Sequence, residues 1–220
     1  MTKLYFIRHG KTQWNLEGRY QGANGDSPLL RESYDEIEKL ATYLGDVHFA
    51  HVYASPIKRA RMTATHLIKS LPQRVDLTLD SGLREFELGK MEGMYFEDVK
   101  KQYPEEYDGF RYHADKYDPT IINGETFADV INRMDPVIKR AAAYHGGADT
   151  NLLFISHGAA LNAGINGLLN VPLVDMRAQG GLANTSTTIL ETTDGGQTFT
   201  MVARNLTAYL DEVPDATNTI

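Results

Sequence analysis

Short apolar runs alternate with longer segments of helical periodicity along most of the chain, a pattern typical of an α/β fold. The first and fourth strand-like runs are continuously apolar, as expected of central parallel strands covered on both faces. The predicted strands are Lys3–Arg8, Ala50–Ala54, Val75–Leu79, Asn151–Ser156, Thr185–Glu191 and Thr198–Ala203. The predicted helices are Arg31–Leu44, Ile57–Ser70, Glu97–Tyr103, Thr126–Tyr144 and Ala159–Leu168. This order predicts a three-layer α/β/α sandwich with a mostly parallel central sheet.

The end of the chain departs from the parallel pattern. The last two predicted strands flank Asp194-Gly195-Gly196-Gln197, a turn that suits a hairpin at the edge of the sheet. We therefore expect one antiparallel edge strand. From about Thr207 the tail is polar and acidic, and we expect part of it to be disordered.

Residues 94–123 interrupt the alternation of strands and helices. This segment is rich in aromatic side chains, with glycine and proline between them: Tyr95, Phe96, Tyr103, Tyr107, Phe110, Tyr112 and Tyr117. One interpretation is a helical, aromatic insertion that caps the active site. The other is a surface subdomain whose aromatic residues pack among themselves. The length of 220 residues predicts a single domain, 1–220, with this insertion inside it.

Composition narrows the class of protein. Apolar residues make up 42% and charged residues 23% of the chain, the balance of a globular protein. No apolar run approaches the roughly 20 residues that cross a bilayer, and the run at Leu4–Ile7 is too short for a signal peptide. We therefore expect a cytoplasmic protein. Because the chain has no cysteine, disulfide and thiolate chemistry are excluded.

The formal net charge of −7 argues against nucleic-acid binding. The basic residues are nevertheless concentrated early: residues 1–61 hold nine Lys and Arg against seven Asp and Glu. This distribution suits an anionic ligand near the first strands. Chance, combined with an acidic solubilising surface elsewhere, explains it equally well.

Two histidines occupy matching positions. Leu4-Tyr5-Phe6-Ile7-Arg8-His9-Gly10 and Leu152-Leu153-Phe154-Ile155-Ser156-His157-Gly158 each consist of an apolar strand, a polar residue and His-Gly. Ligands of open parallel sheets bind beyond the carboxyl ends of the strands, where the strand order reverses. If the two strands are neighbours there, His9 and His157 face one crevice. A single histidine at a strand end is more often structural, so the partners decide the interpretation.

Suitable partners follow the other strands. Arg59 lies in the first turn of the helix after the second strand, where it and Arg8 can grip a phosphate with planar guanidinium groups. Glu85 follows the third strand and brings a carboxyl group to the same rim. One nucleophile, several cations and one carboxyl group are the minimum set for phosphoryl transfer with acid–base help.

Five segments, in this order, resemble those of the histidine phosphatase superfamily, the phosphoglycerate-mutase-like group. They are Arg8-His9-Gly10 with Thr12, Trp14 and Asn15; Arg19-Tyr20-Gln21-Gly22; Ser55-Pro56 with Arg59-Ala60 and Thr63-Ala64; Leu83-Arg84-Glu85 with Gly89 and Glu92-Gly93; and Ser156-His157-Gly158. The tripeptide Arg-His-Gly recurs by chance, but five segments in the right order are specific. Together they extend over nearly the whole chain.

The resemblance implies a phosphohistidine mechanism with His9, Arg8, Arg59, Glu85 and His157 as catalytic residues. Neutral His9 attacks phosphorus, the cations and His157 hold the phosphate oxygens, and Glu85 exchanges protons with the leaving oxygen and water. The predicted substrate-binding residues are Arg8, Asn15, Gln21, Gly22, Arg59, His157 and Gly158. We expect no cofactor and no metal ligand, and a small phosphorylated metabolite as partner. The sequence leaves the oligomeric state open.

Hydrolysis of a phosphomonoester is the predicted function. The alternative is a cofactor-dependent phosphoglycerate mutase, whose relatives usually carry Glu-Arg-x-Tyr-Gly at the acid position. Here Glu85-Phe86-Glu87-Leu88-Gly89 offers an apolar group and a second anion, which predicts poor binding of a carboxylate-bearing substrate. A third possibility is a binding module without activity, although such a module is expected to have lost a catalytic position. The other histidines, His48, His51, His66, His113 and His145, are predicted to be surface or packing residues.

Overall fold

The structure, a computed structural model, describes residues 1–211. Six strands and seven α-helices alternate along these residues. The strands are β1 (Thr2–Arg8), β2 (Phe49–Ala54), β3 (Leu77–Leu79), β4 (Thr150–Ser156), β5 (Thr187–Thr192) and β6 (Thr200–Leu206). The helices are α1 (Gln13–Glu17), α2 (Arg31–Tyr43), α3 (Lys58–Ser70), α4 (Phe96–Gln102), α5 (Pro104–Arg111), α6 (Phe127–His145) and α7 (Gly158–Leu168).

The strands form one mixed sheet in the order β3-β2-β4-β1-β5-β6. Successive side chains of a strand point to opposite faces of a sheet, and β1 shows the consequence. Leu4 and Phe6 pack in a core that includes α6 and α7, whereas Tyr5 and Ile7 pack in a second core with α2 and α3. The predicted three-layer α/β/α architecture is therefore confirmed, and the two apolar strands β1 and β4 are paired in parallel at its centre.

The predicted antiparallel hairpin lies at the edge of the sheet. β5 is the strand that runs against the others, and it lies between β1 and the edge strand β6. The predicted hairpin is present, but its second strand returns to the direction of the parallel strands because a tight turn reverses the chain. Two short helices, α1 and α5, were not predicted. α1 begins at a capping box formed by Thr12 and Asn15, and α5 begins at Pro104.

Residues 94–123 pack against the main core. Phe110 makes edge-to-face contacts with Phe86 and Tyr20, and Tyr117 contacts Phe127 at the start of α6. The aromatic side chains therefore do more than pack among themselves, and they bring α5 beside the segment that follows β3. The division into one domain with an insertion stays a prediction.

Tyr209, at the start of the polar tail, is hydrogen-bonded to the segment that leads into β5. The Tyr209 hydroxyl donates to the Thr185 carbonyl oxygen at 2.7 Å and lies 2.8 Å from the Thr187 hydroxyl. The expected disorder of the tail concerns residues that lie largely outside the described part of the chain. No helix within residues 1–211 combines the length and the apolar character needed to cross a membrane.

Candidate active site

The two matched histidines lie side by side. β1 and β4 pair in register with Arg8 opposite Ser156, so that His9 and His157 follow at the same level of the sheet. Their ring centroids are 5.2 Å apart. Both side chains are buried, as are Arg8, Arg59 and Glu85. The structure therefore brings the two strand ends together as the sequence predicts.

The hydrogen bonds of His9 define the chemical form of its ring. Nδ1 lies 2.8 Å from the carbonyl oxygen of Gly10, which can only accept, so Nδ1 carries the proton. Nε2 accepts a hydrogen bond from Arg59 Nε at 3.2 Å and therefore keeps its lone pair. Burial, Arg59 and Arg8 hold the pKa of His9 well below its usual value. The result is a neutral imidazole whose Nε2 is unprotonated.

The backbone around His9 is fixed by side chains from distant parts of the chain. The Gly10 amide donates to Thr63 Oγ1 at 3.1 Å. Asn184 Nδ2 donates to the His9 carbonyl oxygen at 2.9 Å. Sequence reasoning gave Asn184 no role. These contacts fix the backbone on both sides of the His9 ring, and the position of Nε2 is fixed with it.

Arg59 is held by its surroundings at every nitrogen. Nη1 donates to the Gly25 carbonyl oxygen at 2.8 Å and lies 3.3 Å from Asp26 Oδ1. Nη2 donates to the carbonyl oxygens of Gln21 and Gly22 at 3.2 and 3.0 Å. Together with the bond to His9, these contacts fix the guanidinium group before any ligand binds. Burial lowers its pKa, an effect that Glu85 and Asp26 oppose.

Arg8 lies on the other side of the histidine pair. Its Nη1 donates to the Leu182 carbonyl oxygen at 2.6 Å. Gly158 packs directly against the guanidinium group, and a Cβ atom there would lie 3.0 Å from Arg8 Nε. Any larger residue would crowd the Arg8 guanidinium group at this position. Burial lowers the pKa of Arg8 to about 10, which leaves it charged at neutral pH.

The second histidine has one ring nitrogen without a partner. The Ser55 hydroxyl accepts from the Ile57 amide at 3.3 Å and forms a 2.7 Å hydrogen bond with His157 Nε2, which fixes the orientation of the ring. His157 Nδ1 is buried and has no partner within the described chain. Burial and the charge of Arg59 hold the pKa of His157 well below its usual value. Ser55 is a positioning residue, although the sequence suggested no role for its hydroxyl.

Glu85 is attached to the N-terminus of α7. Its Oε1 accepts from the amides of Ala160 and Phe86 at 2.8 and 2.9 Å, and Oε2 accepts from the Ala159 amide at 3.2 Å. The carboxyl group therefore lies one turn from His157-Gly158. Arg8, Arg59 and Arg177 are all within electrostatic range of it. All five predicted catalytic residues thus surround one small space.

Two of the further predicted phosphate donors retain a free N–H group. Asn15 uses its Oδ1 to accept from the Thr12 amide and hydroxyl at 3.1 and 3.0 Å, and its Nδ2 has no partner in the described chain. The amide of Gly158 is the first of α7 and likewise donates to no described residue. Both stay predicted substrate contacts.

Gln21 and Gly22 are placed differently from the prediction. The side-chain amide of Gln21 donates to Thr12 Oγ1 at 2.8 Å and to Ser27 Oγ at 3.0 Å when oriented to suit its neighbours. The Gly22 amide donates to Glu92 Oε1 at 2.6 Å. Neither group is free to bind phosphate. Both residues instead offer their carbonyl oxygens to Arg59, and Glu92 holds this loop rather than pairing with a cation.

The segment after Glu85 also departs from expectation. Phe86 is fully buried against Phe110 and Phe127, away from the histidines. The Glu87 carboxylate lies 3.5 Å from Arg84 at the surface side of the segment. The predicted apolar group and second anion therefore do not line the pocket. The argument against a carboxylate-bearing substrate loses its basis.

Comparison with known proteins identifies the family. The model of the histidine phosphatase superfamily (branch 1) matches residues 4–205, and the chain belongs to that superfamily. The chain is 28% identical to phosphoserine phosphatase 1 of Hydrogenobacter thermophilus over 79% of each chain. It is 29% identical to the probable phosphoglycerate mutase GpmB of Escherichia coli over 78% of this chain and 77% of that one. The solved structure of Bacillus stearothermophilus YhfR is 30% identical, with a TM-score of 0.84 over 95% of this chain and 99% of that one.

Proposed function

We propose that this protein is a phosphomonoesterase that hydrolyses a small phosphorylated metabolite through a phosphohistidine on His9. The observation that carries the proposal is the form of the His9 ring. Nδ1–H is bonded to the Gly10 carbonyl oxygen, and the lone pair of Nε2 accepts from Arg59 Nε beside the His157 ring, so the phosphorus atom of a substrate would replace this hydrogen bond. A nucleophile fixed in this direction meets the phosphorus atom in line with the leaving oxygen.

In the first step, His9 Nε2 forms a bond to phosphorus and the bond from phosphorus to the ester oxygen breaks. Arg8, Arg59 and His157 stabilise the negative charge on the three remaining oxygens. Glu85 in its protonated form gives its proton to the departing oxygen. The product is an alcohol and a phosphorylated imidazole.

In the second step, water attacks the phosphohistidine. The Glu85 carboxylate takes a proton from this water, the bond between nitrogen and phosphorus breaks, and inorganic phosphate leaves. His9 returns to its neutral form and Glu85 is again protonated. Neither step uses a metal ion.

Relatives support hydrolysis and also define the alternative. One curated relative is named a phosphoserine phosphatase, and another is named a probable phosphoglycerate mutase. In a mutase, the same phosphohistidine would pass its phosphoryl group to a second hydroxyl instead of water. Activity that requires a bisphosphoglycerate primer would favour the mutase. The proximity of the five predicted catalytic side chains argues against a binding module without activity.

The test combines turnover with trapping of the intermediate. The wild-type protein is mixed with a labelled aryl phosphate and quenched in alkali, in which phosphohistidine survives. We expect label on the protein that is lost in acid, together with release of phosphate. His9→Ala should show neither, because no other side chain can replace the nucleophile. The matched control is His113→Ala, which removes an exposed histidine that pairs with Asp108.

Three outcomes would contradict the proposal. Acid-stable label would indicate a phosphoserine or phosphothreonine. Label that persists in His9→Ala would assign the nucleophile to another residue. A wild-type protein that hydrolyses no phosphomonoester of a broad panel would exclude the function altogether.

A further inference from the structure

Two arginines beside Glu85 have no role in the mechanism described above. The Arg177 guanidinium carbon lies 5.2 Å from the ring centroids of both Phe110 and Phe127, and one of its nitrogens donates to the Phe110 carbonyl oxygen. Arg111, at the end of α5, lies 4.9 Å from the Phe96 ring. Neither arginine forms an ion pair with any described carboxylate. Both are half-buried, and each has one buried nitrogen without a hydrogen-bond partner: Arg177 Nε and Arg111 Nη1.

Two tyrosine hydroxyls accompany these arginines. Tyr20 is fully buried and its hydroxyl contacts Arg111, whereas Tyr117 is 8% exposed and its hydroxyl has no hydrogen-bond partner within residues 1–211. Burial raises the pKa of Tyr20 to about 12, although Arg111 and Arg177 oppose the shift. Tyr20 therefore remains a neutral hydroxyl that can donate. It lines a small cavity with Glu85, Phe110 and Ala159, which places the group at the catalytic acid.

The charges of this cluster are unbalanced. Arg177 and Arg111 repel each other, and burial lowers the pKa of Arg177 to about 10, so it still carries its charge at neutral pH. Glu85 is the carboxylate that favours the charged form of Arg177, but Glu85 is already hydrogen-bonded to the amides of α7. Half-buried cations and buried hydroxyls without partners cost free energy unless a ligand completes them. The missing component is an anion.

We propose that Arg177, Arg111, Tyr20 and Tyr117 form a subsite for a carboxylate on the leaving-group part of the substrate. The assignment rests on the proposed function, because Glu85 marks the position of the leaving oxygen. A carboxylate is planar and accepts paired hydrogen bonds from guanidinium groups and hydroxyls. Because the subsite lies beside Glu85, a carboxylate bound there would be a few covalent bonds from the ester oxygen. A phosphorylated hydroxy acid has this arrangement. The protein then selects such an acid over its neutral analogue.

The test uses substrates that differ only at the carboxylate. One pair is O-phosphoserine and O-phosphoethanolamine, and the other is 3-phosphoglycerate and glycerol 3-phosphate. We expect kcat/KM to favour the acid of at least one pair by on the order of 10- to 100-fold, as charged hydrogen bonds provide. Arg177→Met should reduce this ratio toward one, and p-nitrophenyl phosphate, which has no carboxylate, measures any loss that is common to all substrates. Arg140→Met, which removes an exposed arginine, is the matched control.

Tyr20→Phe and Tyr117→Phe protect the test against misfolding of the arginine variant. Tyr117→Phe removes a hydroxyl without a described partner, Tyr20→Phe removes one that contacts Arg111, and both keep the ring in its packing, so both variants should fold. Each should lower the acid preference several-fold, measured as the ratio of kcat/KM within a pair. A purely structural role of the hydroxyls would leave the preference unchanged.

The outcomes separate this proposal from the proposed function. Acid-labile label on His9 with equal kcat/KM for both members of each pair would overturn the subsite and leave the phosphatase intact. A preference confined to bisphosphates, measured with glucose 1,6-bisphosphate against glucose 6-phosphate, would overturn the assignment to a carboxylate. Equal losses on both members of a pair in Arg177→Met would assign Arg177 to the fold. Absence of all turnover and label would instead refute the phosphatase.

Discussion

Arg59 and Arg177 both lie within electrostatic range of Glu85, but their N–H groups meet different surroundings. Arg59 donates to His9 and to the carbonyl oxygens of Gln21, Gly22 and Gly25. Arg177 donates to one carbonyl oxygen and keeps Nε without a partner in the described chain. The hydrogen bonds of Arg59 are therefore all formed before a ligand binds, whereas in the proposed subsite Arg177 gains its remaining partner from the ligand. A fixed, preorganised charge suits the phosphate group, which every substrate shares. An N–H group without a partner suits the part of the ligand that differs between substrates.

The largest expected effect comes from the preorganised side. Arg59→Lys keeps a positive charge but removes the fork that joins His9 to the Gln21–Gly25 loop. We expect kcat to fall by about 10²- to 10³-fold for every phosphomonoester, because the lost bonds orient His9 and hold a positive charge beside the transferring phosphoryl group. Steady-state kinetics on an aryl phosphate and on one acid–neutral pair measure this. A loss confined to carboxylate-bearing substrates would contradict the division between the two arginines.

Acid should lower the free energy of unfolding, because two buried histidines of the phosphate side are neutral in the folded protein. His9 and His157 are neutral in the fold, with pKa values well below the ordinary value of about 6.5. The unfolded chain binds their protons as the pH falls below about 6.5, and the folded chain does not. Stability is therefore highest above that pH and falls below it, by up to about 1.4 kcal/mol per pH unit for each histidine.

Urea unfolding between about pH 7 and pH 5 measures this dependence. His157→Gln should have a shallower slope than the wild type, because one buried neutral histidine is gone. His113→Gln, the exposed control, should keep the wild-type slope. Identical slopes for wild type and His157→Gln would show that His157 gains its proton in the folded protein. The arginines of the leaving-group side do not titrate in this range.

The smallest expected effect tests how the second histidine is oriented. Ser55→Ala removes the hydroxyl that is hydrogen-bonded to His157 Nε2 and fixes the orientation of the ring. We expect kcat to fall about 10-fold on all substrates, with little change in the acid preference, since one neutral hydrogen bond is lost. Ser55→Thr should restore part of the rate, and Ser70→Ala, at an exposed position, should have none of this effect. An unchanged kcat in Ser55→Ala would show that another group orients the ring.

The phosphate side could be predicted from the sequence because it is built at strand ends. Two apolar strands that each end in His-Gly indicated that His9 and His157 are neighbours, and the register of β1 and β4 confirms it. Arg59 and Glu85 follow strands of the same sheet, so the topology places them at the same rim. The prediction depended on where each strand ends, and the apolar runs of the sequence show those ends directly.

Loop conformation explains the errors. Sequence shows that Gly22 and Gln21 precede the first long helix, but not whether an amide or a carbonyl oxygen faces the site. Arg177 and Arg111 were missed for a related reason. They come from a loop after α7 and from the short helix α5, and only the packing of Phe110 on Phe86 brings these elements to Glu85. Phe86 and Glu87 were assigned to the pocket because they adjoin Glu85 in sequence, although their side chains point elsewhere.

The stereochemistry at phosphorus tests the central claim most directly. A phosphate ester made chiral with three oxygen isotopes or with sulfur is hydrolysed, or its group is transferred to an acceptor alcohol, and the configuration of the product is determined. Each in-line displacement inverts phosphorus, so transfer through His9 requires two inversions and gives net retention. Retention is the result we expect. Net inversion would mean that water attacks the substrate directly and that His9 forms no covalent intermediate.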